Sequence, residues 1–221
     1  MKNIFVKFKN GFTLAEVLIT LVIIGVIAAL TIPTAINNTK EQELKSQFKK
    51  AYSTISQAIN KTNMNDFYGY AQCYYGLDGG DNQVIECLDF YTALSKNLQV
   101  QKICQGNAKA DGCIPTYQSY STNSSNEGYS ESKINNNSIV YVLSDSQIII
   151  LYMGGSRPLP LFLVDINGHK GPNAGGKDIF SFRLYKKPDN SPFLASDNCF
   201  PTVSGGKTTN DMIKYALAGV K

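Results

Sequence analysis

Histidine is almost missing from these 221 residues: His169 is the only one. Five cysteines are present (Cys73, Cys87, Cys104, Cys113 and Cys199), and none forms a Cys-x-x-Cys pair. A zinc centre needs nitrogen and sulfur ligands at close spacing, and that supply is lacking. Charge of one sign is also scarce. No block exceeds Lys49-Lys50, and the net charge is only +4. A basic stripe for nucleic acid is therefore missing. No paired carboxylates or nucleophile motif stand out. The Gly-Gly pairs at 79–80, 154–155, 175–176 and 205–206 lack the flanking pattern of a phosphate loop. The chain reads as a non-enzyme.

What is present is concentrated before residue 34. Three lysines, Lys2, Lys7 and Lys9, lie in the first ten residues, and without them the balance is 18 basic against 17 acidic. An apolar run, residues 12–33, follows with one charge in it, Glu16. As a helix these residues span roughly 33 Å, enough to cross a bilayer. The run exceeds the roughly 7–15 residues of a secretory signal core. A plain anchor leaves Glu16 unexplained, since a carboxylate in an apolar span costs about 2.5–3.5 kcal/mol. Cleavage after Gly11 removes the difficulty. The new amino group of Phe12 on one chain can pair with Glu16 of a neighbour, and the charge becomes a register device.

The basic leader, then Gly11-Phe12-Thr13-Leu14-Ala15-Glu16, then an unbroken apolar helix, resembles the prepilin cleavage and methylation motif of type IV pilins and type II secretion pseudopilins. The resemblance implies a cut between Gly11 and Phe12 by prepilin peptidase, methylation of Phe12, and Glu16 as the assembly carboxylate. It implies homologous pilin or pseudopilin subunits, an inner-membrane assembly platform and the lipid bilayer as partners. Nucleic acid enters only if the chain is a DNA-uptake pilin. The precursor is expected as a single-pass inner-membrane protein, its head periplasmic or extracellular. Lys40, Lys45, Lys49 and Lys50 follow the span, so the orientation rests on the resemblance and not on charge. A minor or tip subunit whose head binds DNA or a surface is the alternative to a filament-body subunit. Pro33 also fits the family and is expected to kink the helix.

Beyond residue 34 the helix turns amphipathic. Leu44, Phe48, Tyr52, Ile55 and Ile59 recur every three to four residues, so one helix is expected from Phe12 to about Lys61. The expected divisions are a leader 1–11, a membrane or filament-core helix 12–33, an amphipathic helix 34–62 and a head 63–221. Within the head, 63–137 reads as a variable loop region holding one short helix between Glu86 and Ile103. Four strand-like runs follow, Ile139–Leu143, Gln147–Met153, Leu161–Ile166 and Ile179–Tyr185, with a hairpin at Ser144-Asp145-Ser146. The sheet is placed at 139–186, with a last short helix at 208–217. The fold class is α+β, a long helix packed on a small antiparallel sheet, as in pilins.

In an oxidising compartment Cys104 and Cys113, bracketing a glycine-containing loop, are the preferred disulfide. Cys73 with Cys87 is the second pair, and one cysteine is left over. The stretch from Asp165 to Asp178, with Asn167 between and four glycines, has two readings. Alternating oxygen side chains suit calcium, which takes 6–8 oxygen ligands. The sequence favours the simpler reading, a glycine-rich turn whose Asp and Asn side chains bond their own backbone.

Overall fold

In a computed structural model the described residues are 11–65, 73–74, 90–118, 134–136, 138–151, 158–159, 161–189, 191–197 and 200–218. The chain divides into two units, Met1–Glu43 and Leu44–Lys221.

The helix α1 runs from Leu14 to Asn65, 52 residues or about 78 Å of rise. Pro33 lies inside it, and the helix continues through that position without a break. Pro33 removes one N–H, but the surrounding apolar helix formers keep the remaining ladder. From Phe12 to Ile36 the apolar side chains are exposed on all sides, with Leu14 80% and Leu30 73% accessible. A helix that is apolar all round is stable only among lipids or other helices.

In the second unit α1 becomes a core helix. Phe48, Ala51, Ile55, Ala58 and Ile59 are buried, the spacing the sequence displayed. Their partner is a six-stranded sheet: β2 (Val100–Gln105), β3 (Ile139–Leu143), β4 (Ile148–Leu151), β6 (Leu161–Asp165), β7 (Ile179–Lys186) and β8 (Pro192–Ser196), in that order. Every neighbouring pair is antiparallel. A separate pairing joins β1 (Cys73–Tyr74) to β5 (Pro158–Leu159). Phe48 sits 4.9 Å from Phe180, edge to face, and 5.7 Å from Phe182. Tyr52 donates its hydroxyl to the Leu194 carbonyl at 3.0 Å. The β3–β4 hairpin turns at 144–147 as expected, closed by Leu143 N–H to the Gln147 carbonyl at 2.8 Å.

Three expectations are corrected. Among the described residues the short helix, α2, covers 90–96 and ends well before Ile103. The segment from Val100 to Ile103 belongs instead to β2, an edge strand pairing with β3. The sheet also reaches past 186, because β8 closes its other edge. A last helix, α3 (Thr209–Leu217), is capped by Thr208, whose hydroxyl accepts from Asp211 N–H at 3.1 Å. It buries Met212 and Ala216.

Candidate functional site

The head places its polar residues of interest where β6 leaves the sheet and β7 returns to it. Asp165 is the last residue of β6 and is wholly buried. Its Oδ1 accepts from Asn167 N–H at 3.2 Å and Gly168 N–H at 2.8 Å. Gly168 has φ +63°, and a Cβ there would run into the Ser146 carbonyl, so only glycine serves this turn. Asp178 closes the loop. Its two oxygens accept from Asn173 N–H at 2.6 Å and Ala174 N–H at 2.7 Å. Asn173 is itself held at φ 56°, in the left-handed region that asparagine tolerates.

The structure therefore brings Asp165, Asn167 and Asp178 together, and the self-bonded turn is present. That turn leaves oxygens over. Asp165 Oδ2, Asn167 Oδ1 and Asn173 Oδ1 are buried and make no hydrogen bond of ordinary geometry. Burial, together with the charge of Asp178, pushes the Asp165 pKa up to about 8, against the pull of the Asn167 and Gly168 amides and the Tyr117 hydroxyl. Burial also raises Asp178, against the Ala174 and Asn173 amides and the Asn167 side chain. Two carboxylates and two amide oxygens, with no thiolate or imidazole among them, are the ligand types that a hard cation takes. His169 is exposed. Among the described residues no group of three His, Cys, Asp or Glu side chains gathers, so further ligands of such a cation would be amide oxygens and water. Asn173 and Tyr117 were not singled out by the sequence. The Asn-Gly-rich spacing points at the first, and nothing local points at the second, which lies about fifty residues away.

Cys104 and Cys113 form a disulfide, closing a loop of sequence separation 9. The proposed pairing of Cys73 with Cys87 lies outside the described side chains.

At the other end of the chain, Gly11, Phe12 and Thr13 precede α1. Thr13 Oγ accepts from Glu16 N–H at 3.2 Å, and Glu16 Oε2 accepts from both Thr13 N–H and Thr13 Oγ–H at 2.8 Å. This reciprocal arrangement is a capping box, which satisfies helix-end donors that would otherwise be orphaned. It also puts the carboxylate at the positive end of the helix dipole. Glu16 thus has a partner within its own chain, three residues before it, and Thr-x-x-Glu ahead of an apolar run is the sequence signature of that pairing. Gly11 has open space around its Cα, so nothing in the chain's own packing demands glycine there.

A family model described as the prokaryotic N-terminal methylation motif matches residues 7–32. The chain carries the type IV pilin and pseudopilin signature. No curated protein and no solved structure matches it. The signature implies a precursor processed by prepilin peptidase and assembled with other pilins, and with the apolar N-terminal helix it fits a membrane-anchored precursor. Pilins that carry it are structural proteins. The α+β architecture of long apolar helix and antiparallel sheet is pilin-like.

Proposed function

We propose that this chain is a structural subunit of a type IV pilus or type II secretion pseudopilus. Prepilin peptidase cuts between Gly11 and Phe12, Phe12 is N-methylated, and the mature chain assembles through the first half of α1. The observation that carries this reading is an apolar helical surface with nothing to cover it. Leucine, isoleucine and valine face outward on every side from Leu14 to Ile36. In the precursor lipid covers them, and in a filament the same surface packs on copies of itself. Glu16, the one carboxylate in that surface, sets the register against a neighbour's Phe12 amine. The open space at Gly11 fits a residue chosen by the peptidase and not by the fold. N-terminal mass spectrometry of membrane-extracted protein tests the reading. A mature start at methylated Phe12 supports it, and an intact Met1 or a start near Ala35 refutes it.

The head loop adds a second element to this reading: it holds a calcium-class cation. Three buried oxygens without hydrogen bonds, on Asp165, Asn167 and Asn173, support it. Asp165 and Asp178 would supply charge, and Asn167 and Asn173 neutral oxygens. The bound cation would neutralise the buried carboxylates. Calorimetric titration of the full-length protein in detergent, with calcium and with magnesium, tests this element.

A further inference from the structure

The cation loop does not stand alone. Segment 113–118 runs beside it, and most of that segment is buried: Cys113, Ile114 and Tyr117 are each no more than 3% accessible. Gln118 N–H donates to the Asn173 carbonyl at 3.0 Å, and Gln118 Nε2 donates to the Pro172 carbonyl at 3.0 Å. This strap thus touches the loop at Pro172-Asn173, through both the backbone and the side chain of Gln118.

The other end of the strap is covalently fixed. Cys113 is bridged to Cys104, the buried residue of the edge strand β2. The residues between are held to a separate turn. Ala108 N–H donates to the Asn135 carbonyl at 3.1 Å, and Lys109 N–H to Asn135 Oδ1 at 2.8 Å. Cys113 N–H closes back on the Ala108 carbonyl at 2.8 Å. The bridge ties the start of the strap directly to β2 across the eight residues between the two cysteines.

We infer that the Cys104–Cys113 bridge and the strap Ile114–Gln118 position the 165–178 loop for its cation, so that the loop reaches full affinity only once the bridge has formed. This rests on the cation reading above. The chemistry is ordinary thiol–disulfide exchange. Two cysteine thiols give two electrons and two protons to the disulfide of a protein oxidant, which leaves as a dithiol. Such oxidants act outside the cytoplasm, where the head is expected. Gln118 is a positioning residue: it pins the backbone at Pro172-Asn173.

The test uses full-length protein in detergent, comparing the bridged chain with Cys104→Ser/Cys113→Ser. Calcium affinity is read by calorimetry, and hydrogen exchange of peptides covering 166–178 is read without calcium. The expected result is about tenfold weaker calcium binding and faster exchange at 166–178, with exchange in β4 and β6 unchanged. Gln118→Ala, which keeps the bridge and removes the exposed side chain's bond to the Pro172 carbonyl, is expected to weaken calcium binding in the same direction, and it carries the test should the double variant fail to fold. Unchanged affinity in these variants overturns the inference, as does unchanged exchange at 166–178. A bridged protein that binds no calcium overturns the cation reading instead, and the calcium-free exchange tells the two failures apart.

Discussion

Asp178 and Asp165 are buried in one loop, and the charge of the first raises the pKa of the second. That relationship fixes the sign of a pH dependence. The folded Asp165 titrates near 8, whereas an unfolded aspartate titrates near about 3.9. Between those values the folded state binds more protons than the unfolded state, so stability falls as pH rises. Asp178, also raised by burial, adds in the same direction. In calcium-free buffer the melting temperature of the full-length protein is expected to drop by on the order of 5–10 °C between pH 5 and pH 8. Saturating calcium should remove most of that drop, because a bound cation supplies the countercharge. Thermal unfolding at both pH values, with chelator and with calcium, checks it. A rise in stability with pH under chelator would contradict the arrangement of these carboxylates.

Asp165→Asn separates the cost of the charge from its use. The substitution keeps an oxygen that can accept from the Asn167 and Gly168 amides and removes the buried charge. With chelator at pH 8 the variant is expected to be at least as stable as the parent chain. With calcium it should gain nothing, because a charged ligand is gone. If calcium stabilises the variant as much as the parent, the cation binds elsewhere.

Gly175 is a purely structural control. A Cβ there would collide with the Pro201 carbonyl and lie 2.7 Å from Phe200 Cδ1. The loop is also tied to that segment by Val203 N–H to the Gly175 carbonyl at 3.0 Å and Lys207 N–H to the Gly176 carbonyl at 2.9 Å. Gly175→Ala is expected to cost about 1–3 kcal/mol, the range for forcing extra volume into a packed site. Gly11→Ala meets open space and should leave stability unchanged while reducing processing. Urea unfolding of the first and N-terminal sequencing of the second give the comparison.

The elements legible in the sequence were those with buried periodicity. Phe48, Ile55 and Ile59 recur at helical spacing, and β3, β4, β6 and β7 are runs of valine, isoleucine, leucine and phenylalanine with few exposed positions. The edge strands were hidden for physical reasons. In β2 only Cys104 is buried, while Gln101, Lys102 and Ile103 face solvent, so no apolar alternation marks it. Tyr91, Leu94 and Leu98 just before it do have helical spacing, which drew the expected helix too far. In β8 a proline opens the strand, a position proteins allow at sheet edges because no ladder hydrogen bond is lost there. At the candidate cation site the loop's own Asp and Asn residues could be read, but Tyr117 and Gln118 reach it only through the tertiary fold. At the N-terminus the motif is legible, and Thr13-x-x-Glu16 ahead of an apolar run is also the local signature of its internal hydrogen bonding.

The capping box at Thr13 and Glu16 sharpens what a substitution at Glu16 can prove. Glu16→Ala removes two things together: the charge, and the acceptor that holds Thr13 N–H and Oγ–H at 2.8 Å. Loss of a cap costs about 0.5–2 kcal/mol of helix stability, whereas loss of one partner of a buried ion pair costs about 3–5 kcal/mol. Glu16→Gln divides the two. Glutamine serves in a capping box, so it preserves the helix start while removing the charge that would face a neighbour's Phe12 amine. Membrane insertion is expected to be as good as before in both variants, since removing a charge eases transfer into lipid by roughly 2–3 kcal/mol. Filament assembly is expected to fall steeply in both, because both leave the neighbour's amine without a countercharge. Cells expressing each variant should keep cleaved protein in the membrane at normal amounts and show few filaments by electron microscopy. If Glu16→Gln assembles like the parent chain while Glu16→Ala does not, the carboxylate serves only as a helix cap, and the register role assigned to its charge is wrong.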